Sequence, residues 1–180
     1  MLYSSRHYLN KRLRKTLCES LVLSNFNYCD YIYGFGIDSM DRNRVQKVQN
    51  ACSRYINDLR KFDHISHTYK QLNWLTMENR RLHHFDCFVF HIMNSKDPPL
   101  SLKSKLILRS DIHDRNVRYN LKLTMPQHRT TLFRSGFTYN AVMFFNSLPR
   151  TMKTLNVRQF KVTYKNMLQD DQNNTLNPPT

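Results

Sequence analysis

The sequence predicts a mainly α-helical module of about five to six helices, with one or two short strands in the 117–135 region. Three observations carry that expectation: apolar residues recur at helical spacing, polar caps precede the periodic segments, and glycine is scarce, with 3 in 180 residues. With 40% hydrophobic and 12% aromatic residues, there is enough apolar surface to offset the entropy of ordering most of the chain. One helical domain is expected over 1–168, with a disordered tail over 169–180.

Leu9, Leu13, Leu17 and Leu21 recur every fourth residue, with Lys11, Arg14 and Lys15 on the opposite side. This predicts an amphipathic helix over 4–24 whose leucine stripe docks on the rest of the fold. The Tyr-rich stretch from Asn27 to Gly36 ends in Gly-Phe-Gly and reads as a bend. Asp38 or Ser39 can cap a helix over 41–59 that carries Val45, Val48, Cys52, Tyr55, Ile56 and Leu59 on one face. A short helical piece over 68–72 leads to Trp74. Thr76 then caps a helix running to about Asn94, and its wrap of Phe85, Phe88, Val89, Phe90, Ile92 and Met93 places it centrally.

Lys96-Asp97-Pro98-Pro99 breaks that pattern. The basic, weakly periodic stretch 110–126 reads as surface loop and short strand, and 129–135 as a second short strand. A helix over 137–148 ends at Pro149, and Asn156 caps a last helix over 157–168.

With 28 Lys and Arg against 13 Asp and Glu, the net charge is +15, which attracts polyanions and points to nucleic acid. No apolar run approaches the roughly 20 residues of a membrane span, and the first 15 residues lack an apolar signal core. An intracellular chain, nuclear or cytoplasmic and not secreted, with no membrane partner is therefore expected. Cys18, Cys29, Cys52 and Cys87 form no Cys-x-x-Cys pair and read as free thiols.

His83, Cys87 and His91 fall on one helix face, but spread over more than two turns they cannot all reach one ion, so no metal is expected. The adjacent acids Asp170-Asp171 lie in the polar tail, where no strand hairpin can converge them on metal ions about 4 Å apart. There is no Gly-rich phosphate loop, nucleophile elbow or HExxH, and neither a cofactor nor a small-molecule substrate is expected. Arginine forks and short amides in Asn79-Arg80-Arg81 and in His113-Asp114-Arg115-Asn116-Val117-Arg118 suit phosphate and sugar contact without base reading. The residues expected to meet nucleic acid are Lys11, Arg14, Lys15, Arg80, Arg81, Arg115, Arg118 and Arg129, whereas Trp74 and Tyr139 read as core before stacking platforms.

Two strings, Val48-Gln49-Asn50-Ala51-Cys52-Ser53-Arg54-Tyr55-Ile56 and Leu72-Asn73-Trp74-Leu75-Thr76-Met77-Glu78-Asn79-Arg80-Arg81, stand ahead of the 113–118 cluster. Arg129-Thr130-Thr131, Phe137-Thr138-Tyr139-Asn140-Ala141 and Phe145-Asn146-Ser147-Leu148-Pro149 follow it. In this order, over about residues 16–168, the chain resembles the C-terminal, thumb-adjacent region of jockey-like non-LTR retrotransposon reverse transcriptases. It departs from that pattern at Phe145, where the family usually has Trp, and at the Gly136 between Ser135 and Phe137.

The resemblance implies a parent reverse transcriptase with an endonuclease and a polymerase palm upstream, neither of which this sequence contains. It implies a truncated, non-catalytic segment that grips RNA or DNA backbone by charge and packs against the parent's polymerase core. The alternatives are a structural remnant with no binding activity and a stand-alone basic nucleic-acid-binding protein.

Overall fold

The computed structural model describes residues 4, 6–112 and 121–176. The chain is mainly helical, and among the described residues the β structure is one isolated antiparallel bridge between Leu108 and Leu123. It divides into two compact units, where the sequence predicts one domain. The first unit gathers Met1–Asp30, Ile37–Arg81 and Leu168–Thr180, and the second gathers Tyr31–Gly36 and Leu82–Met167.

The first unit opens with α1, Lys11–Leu17, capped by the Asn10 carboxamide, which accepts the Leu13 amide at 2.9 Å. The helix runs on through a π-helical segment, Cys18–Leu23, into α2, Ser24–Asn27. The predicted leucine stripe is not the face that docks: Leu13 and Leu21 are 49% and 59% exposed. The row that packs inward lies one residue later, at Arg14, Cys18, Val22 and Phe26, and so is turned by about 100°. Partners decide the choice. Arg14 finds the Asp58 carboxylate and the Tyr55 carbonyl there, acceptors that a leucine would leave unsatisfied.

After α3, Asp30–Tyr33, helix α4 spans Ser39–Asn57 and begins where the Asp38 carboxylate accepts the Asp41 amide at 2.7 Å, a cap of about 1 kcal/mol. It ends at Asp58 in the left-handed region, φ 58°, which Asp tolerates better than most side chains. Helix α5, Ser66–Leu72, closes the same way on Asn73, φ 56°. Cys18, Leu23, Cys52, Tyr55, Ile56, Tyr69, Leu72, Trp74 and Met77 form the core of this unit.

Helix α6, Met77–Asn94, starts after Thr76, whose hydroxyl accepts the Asn79 amide at 3.3 Å as the sequence predicts. Its first amides are also taken by glutamines from elsewhere: Gln172 accepts from Thr76 at 2.8 Å and Gln46 from Met77 at 2.9 Å. The last helix, α11, runs Val157–Leu176, so residues 169–176 are helical where a disordered tail is expected. The order has a cause in the amides: Gln169 donates to the Asn73 side chain at 2.5 Å, and Gln172 is 6% exposed.

The second unit is built on stacked rings from α6, from α9, Phe137–Ser147, and from the first turns of α11. Phe90 and Phe160 stack face to face with centroids 3.9 Å apart, and Phe160 continues the stack onto Tyr164 at 5.3 Å. Phe85 sits edge-on to Phe35 at 4.6 Å and to Phe137 at 5.6 Å. Between α6 and α9 come α7, Leu100–Lys103, and α8, Thr131–Arg134. The strand expected at 129–135 is this short helix, because Thr130 caps it by accepting the Phe133 amide at 3.2 Å. Leu123 is fully buried, and its backbone is satisfied by one side chain: Asn146 accepts its amide at 2.7 Å and donates to its carbonyl at 3.0 Å. Asn146 thus stands in for a neighbouring strand. Helix α10, Arg150–Lys153, follows Pro149, and Asn156 caps α11 by accepting the Gln159 amide at 2.8 Å.

Candidate nucleic-acid interface

The predicted phosphate contacts separate into three groups, with Arg81 apart from all of them. Lys11 and Arg129 lie exposed, the first in the first unit and the second in the second. Arg115 and Arg118, with the whole 113–118 cluster, lie outside the described residues. Arg14, Lys15 and Arg80 are occupied internally.

Arg14 is 7% exposed, and its guanidinium donates two hydrogen bonds to Asp58, at 2.8 and 2.9 Å, and one to the Tyr55 carbonyl at 2.8 Å. Hydrogen bonds from Arg14 and then Arg6 hold the Asp58 carboxyl far below the ordinary carboxylate range, and the same bond raises Arg14. Lys15 donates to the Leu72 carbonyl at 2.9 Å. Arg80 donates to Asn27 at 2.8 Å, and its burial lowers its pKa, opposed by Glu19 and Asp30. These three cations close the first unit on itself. Arg81 lies half-buried on a cleft of about 390 Å³ that also contains Arg42, Glu78 and Asp171, where acids offset its charge.

A different surface carries the uncompensated charge. Beside the C-terminal half of α4 and the loop that follows it, Arg6, Lys47, Arg54, Arg60 and Lys61 line a groove of about 760 Å³ with Asn50 and Phe62. No acid lines it among the described residues. Lys47, Arg54 and Asn50 share a helix face because i, i+3 and i+7 fall together on an α-helix. Arg6 is tied to Asp58 at 2.5 Å, but the side chains of Lys47, Arg60 and Lys61 make no ion pair among the described residues. Arg54 likewise makes no ion pair among the described residues: its Nη2 reaches the Asp63 carbonyl only at 3.4 Å, and its Nε is buried without a hydrogen-bond partner.

The loop is held by its own short bonds. The Asp63 carboxylate accepts the Arg60 amide at 2.6 Å while the Asp63 amide donates back to the Arg60 carbonyl at 3.2 Å. This turn sets Phe62 outward, 90% exposed, with the Lys61 ammonium 5.5 Å from the ring centroid. The position of α4's C-terminus adds to the arrangement, since its dipole favours cations there.

Other features named by the sequence are bonded locally. His83 is buried, its Nε2 donates to the Lys161 carbonyl at 3.1 Å and sits 3.6 Å from the Cys87 sulfur, and His91 is exposed. No group of three His, Cys, Asp or Glu placed to hold a metal occurs among the described residues. Trp74 is core, 4% exposed, with its indole donating to Glu19 at 2.7 Å. Asp170 and Asp171 are exposed neighbours on α11, where successive side chains diverge by about 100°.

None of the residues expected to meet nucleic acid lines this groove, because its cations come from separate stretches of chain that only the fold brings together. The signal was present as Arg60-Lys61-Phe62 between two helices, with Asn50 and Arg54 inside one of the family-like strings. No described helix is long and apolar enough to cross a membrane. Compared with known proteins, the chain matches no family model, no curated protein and no solved structure.

Proposed function

We propose that this chain is a non-catalytic module that grips the backbone of RNA or DNA by charge, of the kind that follows the polymerase core of a non-LTR retrotransposon reverse transcriptase. The observation that carries the reading is the groove lined by five cations and no acid, four of those cations making no ion pair among the described residues. Such a surface binds phosphate by releasing counterions, and it does so without reading sequence. The order of the family-like strings along residues 16–168 supports a retrotransposon origin, and in the parent protein this module would position nucleic acid and pack against the polymerase core.

Titration of the full chain with a structured RNA and a matched DNA duplex across about 50 to 300 mM salt tests this reading. The expected result is a steep log–log loss of affinity with salt. Replacing Lys47, Arg60 and Lys61 together by alanine lowers the slope by about 2 to 3 and weakens binding at least tenfold at about 100 mM salt. Arg80→Ala with Arg81→Ala changes the slope by less than about 1, since Arg80 is engaged internally. Absence of binding at the lowest salt would instead favour a packing remnant.

A further inference from the structure

We infer that the groove takes single-stranded nucleic acid, with one unpaired base stacked on the ring of Phe62. This deepens the backbone-gripping reading and rests on it.

A phenylalanine that is 90% exposed exists here by construction. It stands in the turn between Arg60 and Asp63, which is closed by hydrogen bonds of 2.6 and 3.2 Å. Cations flank it: Arg60 and Lys61 precede it in the chain, and Lys47 and Arg54 lie across the same groove. An aromatic face at the edge of a basic track is the combination that single-strand binders use, because every base has a π-face and the phosphates are then held by charge alone. A duplex presents its bases stacked on one another, so it can use the cations but not the ring. Asn50, whose carboxamide lies in the same groove and accepts from Tyr69 and Gln46, offers polarity to the sugar and base edges without specifying a sequence.

An anionic membrane could also attract a basic surface with an exposed ring. The observations favour nucleic acid: the feature is a concave groove with a lone projecting ring, while interfacial anchoring uses a broad apolar helix face.

The experiment compares three probes with the full chain: a labelled single strand of about 15 nucleotides, a duplex of the same length, and vesicles containing anionic lipid. Wild type should bind the single strand more tightly than the duplex. Phe62→Ala should weaken single-strand binding by about 5- to 100-fold and alter duplex binding less than about twofold, and Phe62→Trp should restore it. The side chain is exposed, so neither variant should unfold the protein, which far-UV circular dichroism checks. Single-strand affinity unchanged by Phe62→Ala, with salt-dependent binding intact, would overturn the stacking and leave the backbone grip standing. Failure of wild type to bind either nucleic acid would remove both. Loss of vesicle binding in Phe62→Ala with unchanged oligonucleotide affinity would overturn the inference in favour of a membrane surface.

Discussion

The two units hold together by different means. The first is organised by directed polar bonds: Arg14 on Asp58, Gln49 donating to the Leu75 carbonyl at 2.8 Å, and Gln172 and Gln46 on the start of α6. The second relies on ring stacking along Phe90, Phe160 and Tyr164, with the polar Asn146 reserved for one backbone segment. Directed bonds fix where individual side chains stand, and the groove, with four cations that make no ion pair among the described residues, lies in the first unit. Stacked rings remove area from water without assigning a cation to a position.

Each unit also buries or pairs an aspartate, and the two titrate in opposite directions. Asp58 is held low by Arg14 and Arg6. Asp86, 3% exposed, is pushed up to about 7 by burial, against the hydrogen bond that the Tyr164 hydroxyl donates to it. One carboxyl therefore strengthens the fold as it ionises and the other weakens it.

The comparison breaks most directly at the stack. Phe160→Ala should cost about 3 to 5 kcal/mol in denaturant unfolding, because it removes a fully buried ring and leaves a cavity. Phe160→Leu, which keeps most of the volume, should cost about 1 to 2 kcal/mol, and a cost near zero would show that ring geometry adds nothing.

Asp86→Asn comes next, and its effect depends on pH. The unfolded carboxyl titrates near 3.9. With its folded pKa raised to about 7, the stability it contributes is full below about pH 4 and is lost as pH rises toward 7. The variant's advantage over wild type should grow from near zero at pH 4 to as much as about 4 kcal/mol at pH 8. A flat difference across that range would mean Asp86 is not held protonated.

Asp58→Ala should cost about 2 kcal/mol at pH 7, less than a fully buried pair because the carboxylate side chain is 56% exposed while Arg14 is buried behind it. Here the sign reverses. A depressed folded pKa means that the contribution is present above about pH 4 and lost as pH falls below it, so the gap between wild type and variant should narrow in strong acid to the pH-independent cost of alanine in the left-handed backbone at this position.

Much of the fold is legible in the sequence, since capping chemistry is local. Asp38, Thr76 and Asn156 all accept the amides their positions predict. What escapes is decided at a distance. The packed row of α1 is set by Asp58, which lies 44 residues from Arg14, and no periodicity within the helix could report it. The order of 169–176 comes from Asn73, 96 residues away from Gln169. The candidate site is less legible than the fold for the same reason. An arginine bound for an internal carboxylate and one bound for phosphate look alike in sequence, and only the position of the acids separates Arg14 from Arg54.

Trp74 gives this chain a built-in spectroscopic label. It is the sole tryptophan, it is 4% exposed, and its indole is bonded to Glu19 within the first unit. Excited at its red edge, the protein emits from that unit alone, while the phenylalanine stack of the other contributes to near-ultraviolet absorption and to heat uptake. An emission shift that coincides with the calorimetric peak reports cooperative melting of the whole chain, and one that precedes or trails it dates the loss of the groove-bearing unit on its own clock.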